Sequence, residues 1–128
     1  MAMIDEYLKE DVFAVVGASP NSEKYGYKIY KHLQSLGKKV YPVHPAAKEI
    51  DGEAVYKSLT DIPDKVAVVD IVVPPQVTER VVEECLNLGI TKVWIQPGAE
   101  SDKAIEFCEK NNMEVVHHQC IMMPDHKF

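Results

Sequence analysis

Apolar residues fall along the chain at two kinds of spacing, and the alternation between them predicts the architecture. Val12-Phe-Ala-Val-Val16 is continuous in apolar side chains, as expected of a strand covered on both faces of a parallel sheet. After a polar loop, Ile29, Tyr30, Leu33 and Leu36 share one helical stripe that Gly37 stops. Lys39–Val43 reads as a second strand, ended by His44-Pro45. Residues 46–64 are the least regular, broken by Gly52 and Pro63, with Tyr56–Leu59 read as a short helical turn. Val66–Val73 is a third buried strand, closed by Pro74-Pro75 because proline cannot donate to a central ladder. Val77, Val81, Cys85 and Leu88 form the stripe of a helix stopped by Gly89. Lys92–Ile95 is the fourth strand. Ser101 is suited to cap a helix carrying Ala104, Ile105 and Cys108 that ends at Asn111-Asn112, and Glu114–Val116 is the fifth strand.

Strands alternating with helices imply an α/β fold. We expect a single Rossmann-like domain over residues 1–128, with a doubly wound five-stranded parallel sheet and right-handed crossovers. Ligands of such sheets bind beyond the carboxyl ends of the strands, where the strand order reverses. The pattern assigns that rim to Gly17-Ala18-Ser19, Pro42-Val43-His44-Pro45, Val73-Pro74-Pro75, Gln96-Pro97-Gly98 and His117 to Cys120.

The first strand–helix turn lacks the dinucleotide fingerprint, since Ser19 and Ser22 stand where it needs glycine. Instead Gly17 opens a longer loop, and Lys24-Tyr25-Gly26 opens the helix. Glycine at 17 lets a pyrophosphate lie close to the backbone, amides at a helix start attract phosphate, and Lys24 adds a point charge there. On this reading a side chain at 17 would occupy the pyrophosphate's space. An NAD site has an acid after the second strand to hold the ribose hydroxyls. This chain has His44, Pro45 and then Lys48, which better fits a ribose bearing a phosphate. Coenzyme A and NADP both qualify, and the alternative for His44 is a strand-end residue bonding its own loop.

Further residues carry a resemblance. Val15-Val16-Gly17-Ala18-Ser19, the Tyr25-Gly26-Tyr27 helix start, Pro42-Val43-His44-Pro45, and Gly52 to Leu59 with Ile62-Pro63 all take part. Val72-Val73-Pro74-Pro75, Trp94-Ile95-Gln96-Pro97-Gly98, and Val115-Val116 leading to Cys120 complete the ordered series. Together they resemble the stand-alone CoA-binding-domain proteins, which are similar to the N-terminal domain of the succinyl-CoA synthetase α subunit. The resemblance implies CoA or acyl-CoA held at the strand ends, across Gly17, Ala18, Ser19, Lys24, Tyr25, Val43, His44, Pro45, Val73, Pro74, Pro75, Gln96, Gly98 and Cys120. The chain departs from it at His44, where many relatives have asparagine, and at Lys24, where arginine is frequent. The synthetase's second domain, with its phosphorylated histidine, has no counterpart.

Other constellations add little. His117, His118, Cys120, His126 and His44 suggest a soft-metal site, but adjacent residues on an extended segment point apart and only half of a ligand pattern is present. Cys120 is a candidate thiol at the rim, and a nearby histidine would lower its pKa. Cys85 and Cys108 sit on apolar stripes and read as core. Glu79, Glu83, Glu84, Glu106 and Glu109 read as solvated outer faces. Asp70 interrupts an apolar strand, where a carboxylate would cap a backbone group or mark an edge. With no catalytic set on the rim, the expected function is a binding protein for a small nucleotide ligand rather than an enzyme, an NADP-binding enzyme or regulator being the alternative.

Composition narrows the classes. The 128 residues carry 20 acidic and 14 basic side chains, a net charge of −6, which disfavours nucleic-acid binding. The N-terminus is charged where a signal peptide would be apolar, and no run spans a membrane. Three cysteines give no disulfide framework, so a cytoplasmic setting is expected. A homodimer or a partner protein is left open.

Overall fold

The computed structural model describes residues 2–117. It contains helix α1 (Ala2–Lys9), strand β1 (Val12–Val16), α2 (Tyr25–Ser35), β2 (Lys39–Val43), a small hairpin β3 (Glu49–Ile50) and β4 (Glu53–Ala54), and a 3-10 turn at Leu59–Asp61. There follow β5 (Val68–Ile71), α3 (Pro75–Asn87), β6 (Lys92–Ile95), α4 (Asp102–Lys110) and β7 (Glu114–Val116). The expected α/β sheet is present: five strands in the order β2-β1-β5-β6-β7, each neighbouring pair parallel.

The chain leaves β1 toward β2 on one side and resumes at β5 on the other, so the order reverses between β1 and β5. Strand alternation divides the core accordingly. Ala14, Val16, Val69, Ile71, Val93 and Ile95 pack against α3 and α4. Phe13, Val15, Val68, Trp94 and Val116 pack against α1 and α2, with Tyr7, Ile29, Tyr30 and Leu33. Continuous apolar strands are what two covered faces require. Cys85 and Cys108 are buried, as read from their stripes.

The structure corrects several expectations. The regular ladder of the third predicted strand is only Val68–Ile71, with one further backbone bond at each end, Ala67 N to Val12 O and Val72 N to Val16 O, before Val73 turns into the rim. Leu36 and Leu88 remain 48% and 42% exposed, since each follows the last helical turn and lies past the packed sheet. The helical turn expected at Tyr56–Leu59 is displaced to Leu59–Asp61, and Tyr56 instead bridges in parallel to Val43. Glu79 and Glu84 are not simply solvated: Ser101 Oγ donates to Glu79 at 2.6 Å, and Thr60 donates to Glu84 through its hydroxyl (2.7 Å) and amide (3.1 Å).

Two elements escaped the pattern. Helix α1 seals the second core layer: Tyr7 is fully buried, its ring edge-on to Trp94 at 5.9 Å. Its hydroxyl donates to Val93 O and accepts from Val93 N, both at 3.2 Å. Lys38 Nζ donates to Leu8 O at 2.6 Å near the C-terminal end of α1. The β3–β4 hairpin turns at Asp51-Gly52, both with positive φ (49° and 86°), and buries Ile50 in the α2 layer.

Candidate functional site

The strand ladders run on into the rim. Gly17 N donates to Val43 O (2.9 Å), Val72 N to Val16 O (2.8 Å) and Gln96 N to Ile71 O (3.0 Å). Four of the five predicted strand ends are thereby fixed side by side by backbone bonds. Their middle is the β1–β5 reversal.

Gly17 sits there with φ 102°, and a Cβ built on it would lie 2.1 Å from Val72 O and 2.9 Å from Val73 Cγ1. The space that a side chain at 17 would need is thus taken by the protein's own β5 end, which corrects the expectation that it is kept for a pyrophosphate. Gly26 is the second tight position, because a Cβ there would lie 2.0 Å from Gly17 O. Between them the two glycines supply the close turn and the close helix–strand approach that the dinucleotide fingerprint packs into a shorter stretch.

Two helices begin at this reversal, on opposite faces. The N-cap of α2 is Lys24, exposed, and that of α3 is Pro74. Neither N-cap side chain makes a capping bond, and neither helix has an acid in its first turn. By contrast α4, which starts farther along the rim, is capped by Ser101 Oγ accepting from Ala104 N (3.2 Å) and carries Asp102 in its first turn. Among the described residues, then, no N-cap side chain and no first-turn acid offsets the positive ends of α2 and α3, an arrangement favourable to an anion.

The surrounding loops are shaped by local bonds. Ser19 Oγ accepts from Asn21 N (3.1 Å) and Asn21 Oδ1 from Glu23 N (3.0 Å), turning the chain toward Lys24. His44 Nδ1 accepts from the amides of Ala46 (3.1 Å) and Ala47 (3.0 Å), so this ring nitrogen serves its own loop, as the alternative reading held. An asparagine side chain makes the same kind of turn. Pro45 is exposed and Val43 buried. The hairpin beyond is tied to α2 by Asp51 Oδ2, which accepts from Tyr27 Oη (2.7 Å) and pairs with Lys31 (3.2 Å). Those two partners hold the Asp51 carboxyl below its ordinary value.

Gln96 to Ala99 form a turn closed by Ala99 N donating to Gln96 O (3.0 Å). Thr78 of α3 donates to Ala99 O (2.9 Å) and Glu100 Oε1 accepts from Gly98 N (2.9 Å). Gln96 is fully buried and donates from Nε2 to Asp70 Oδ1 at 2.7 Å. Asp70 lies on the central strand, neither an edge residue nor a backbone cap. It completes the rim from beneath, a role the sequence did not reveal.

Gly17, Ala18, Ser19 and Lys24 thus share the β1–α2 loop and Tyr25 opens α2, Val43, His44 and Pro45 adjoin the loop, and Val73, Pro74 and Pro75 lie across the reversal. Gln96 and Gly98 lie one strand farther out. Cys120, His118 and His126 fall outside the described residues, and among the described residues no three metal-ligating side chains come together. Among those same residues no helix is long and apolar enough to cross a membrane.

The family model described as a CoA binding domain matches residues 11–125. The chain belongs to the CoA-binding domain family. Among curated relatives, the α subunit of ADP-forming acetate–CoA ligase II from Pyrococcus furiosus is 32% identical, the match covering 93% of this chain and 28% of that protein. The ADP-forming acetate–CoA ligase of Methanocaldococcus jannaschii is 33% identical, covering 84% of this chain and 16% of that one. This CoA-binding domain therefore spans less than a third of either ligase. Solved structures are similar over most of their length: one is a conserved hypothetical protein from Pyrococcus furiosus (43% identity, TM-score 0.84, covering 88% of this chain and 97% of that one). A hypothetical protein from Pyrococcus horikoshii has 36% identity and TM-score 0.89, covering 93% and 84%.

Proposed function

We propose that this CoA-binding domain takes up CoA, or a short acyl-CoA, at the β1–β5 reversal and holds it without transforming it. The observation that carries the reading is the pair of N-termini of α2 and α3 flanking one strand-order reversal, each, among the described residues, without a bond from its N-cap side chain and without an acid in its first turn. A doubly phosphorylated adenosine tail supplies the missing negative charge. Lys24 adds a cation at the mouth, the Gly17–Ser19 and Val43–Pro45 turns bracket the nucleotide, and Val73–Pro75 form the opposite wall. Gly98, exposed in the turn that the buried Gln96 opens, would line the path of the pantetheine arm. No nucleophile–base pair assembles among the described rim residues, which favours carriage over catalysis. The ligase relatives suggest that a CoA-loaded domain also meets a partner protein or second copy.

Isothermal titration with CoA and acetyl-CoA tests this. Saturable binding is expected, with Lys24→Ala weakening it about fivefold, near 1 kcal/mol for an exposed charge on phosphate. No heat with millimolar CoA in folded protein removes the reading, and tighter binding of NADPH than of CoA replaces it with an NADP site.

A further inference from the structure

We propose that Asp70 and Gln96 form a latch beneath the rim, in which a neutral carboxyl fixes the Gln96 side chain and, through it, the turn from Gln96 to Ala99 that the ligand meets. The ligand part of this inference rests on the reading above; the latch itself does not.

Asp70 is fully buried on the middle strand, flanked in register by Val15 of β1 and Trp94 of β6. Its Oδ1 accepts from Gln96 Nε2, while its Oδ2 has no hydrogen-bond partner among the described residues. No cation among those residues pairs with it. The phenols of the same core layer are Tyr7 of α1, and Tyr25, Tyr27 and Tyr30 of α2; of the charged groups, Lys38 Nζ lies over the Phe13 ring at 5.9 Å and Glu114 of β7 acts on Tyr7. Burial raises the Tyr7 and Tyr30 pKa values, and a hydrogen bond to Asp51 raises that of Tyr27. From β7 the layer receives Val116, the last residue of that strand. A carboxylate at 70 would therefore be a buried charge with a single amide donor, a state proteins avoid. Burial pushes the Asp70 carboxyl up to about 8, against the opposing pull of the Gln96 hydrogen bond. Ionisation can be relieved only by admitting water or parting the β5 and β6 ends, and the turn that begins at Gln96 moves with them. Asp70 touches no ligand in this scheme; it is a positioning residue.

Trp94 is the sole tryptophan of the chain and the register neighbour of Asp70, so its fluorescence reads the latch without any ligand. In the parent, emission should titrate with a midpoint near pH 8. The Asp70→Asn variant should show no such transition, and Gln96→Leu should move the midpoint upward by removing the bond that lowers it. CoA affinity of the parent should fall about tenfold from pH 7 to pH 9, the fraction of neutral Asp70 setting the competent population, while Asp70→Asn stays level. A flat parent titration, an unchanged transition in Asp70→Asn, or an equal loss of affinity in that variant overturns the latch. Should Asp70→Asn fail to fold, an unshifted midpoint in Gln96→Leu does the same. If CoA binds at no pH, the functional reading fails while Trp94 still decides the latch.

Discussion

Single atoms decide the shape of the reversal. Gly17 and Gly26 are separated by nine positions, yet each leaves room for a backbone oxygen that any Cβ would strike. That pairing was only half legible: the sequence marked Gly17 as a turn glycine, but only the register of β1 against β5 brings Val72 O beneath it. His44 was legible as a polar strand-end group, whereas its choice between loop and ligand depended on where Ala46 and Ala47 turn. The consequence is testable at residue scale. Gly17→Ala combines a left-handed φ with a backbone clash, so it should destabilise the fold by about 3 kcal/mol or more, in contrast to Lys24→Ala, which should leave stability nearly unchanged. Urea denaturation of both separates the two. A Gly17→Ala protein as stable as the parent but unable to bind CoA would return this glycine to the role of making room for pyrophosphate.

At the scale of elements, the strands were legible because burial on both faces forces unbroken apolar runs, and Ser101 because caps use few residue types. The misses have physical causes. In α1 the apolar positions Ile4, Tyr7 and Leu8 have helical spacing but sit among charges, and so short a helix owes its stability to packing rather than propensity. The hairpin carried the Asp-Gly signature of a tight turn, but each strand is two residues long, too short for alternation to register. Tyr7 shows how firmly α1 is joined to the sheet, since its hydroxyl bonds both backbone groups of Val93. Tyr7→Phe keeps the ring against Trp94 and removes the hydroxyl's two bonds to Val93, whose backbone also belongs to the β6–β7 ladder. A loss of about 0.5–1.5 kcal/mol is expected, read as a lower urea midpoint with unchanged slope; no change would mean that water replaces the hydroxyl and that α1 is peripheral to the core.

Over the whole molecule the acids divide into two sets with opposite effects on stability. Asp51, Asp64 and Glu106 are surface carboxyls held below their ordinary values by neighbouring lysines and, for both aspartates, tyrosines. Their contribution is present above the unfolded-state pKa and is lost as pH falls through the folded one. Asp70 runs the other way. Raised from 3.8 to about 8, it keeps its proton in the folded protein over a range where the unfolded chain has released it. The folded state then binds more protons than the unfolded state, so stability declines with pH across that window and levels off above it. A molecule with net charge −6 adds to this trend, because self-repulsion grows as its acids ionise. Melting temperatures of the parent should fall between about pH 5 and about pH 8, and the Asp70→Asn variant, which has no proton to lose there, should show only the shallower slope of the surface charge. Equal slopes in the two proteins would mean that the carboxyl meets water in the folded state, and the dry core beneath the rim would have to be abandoned.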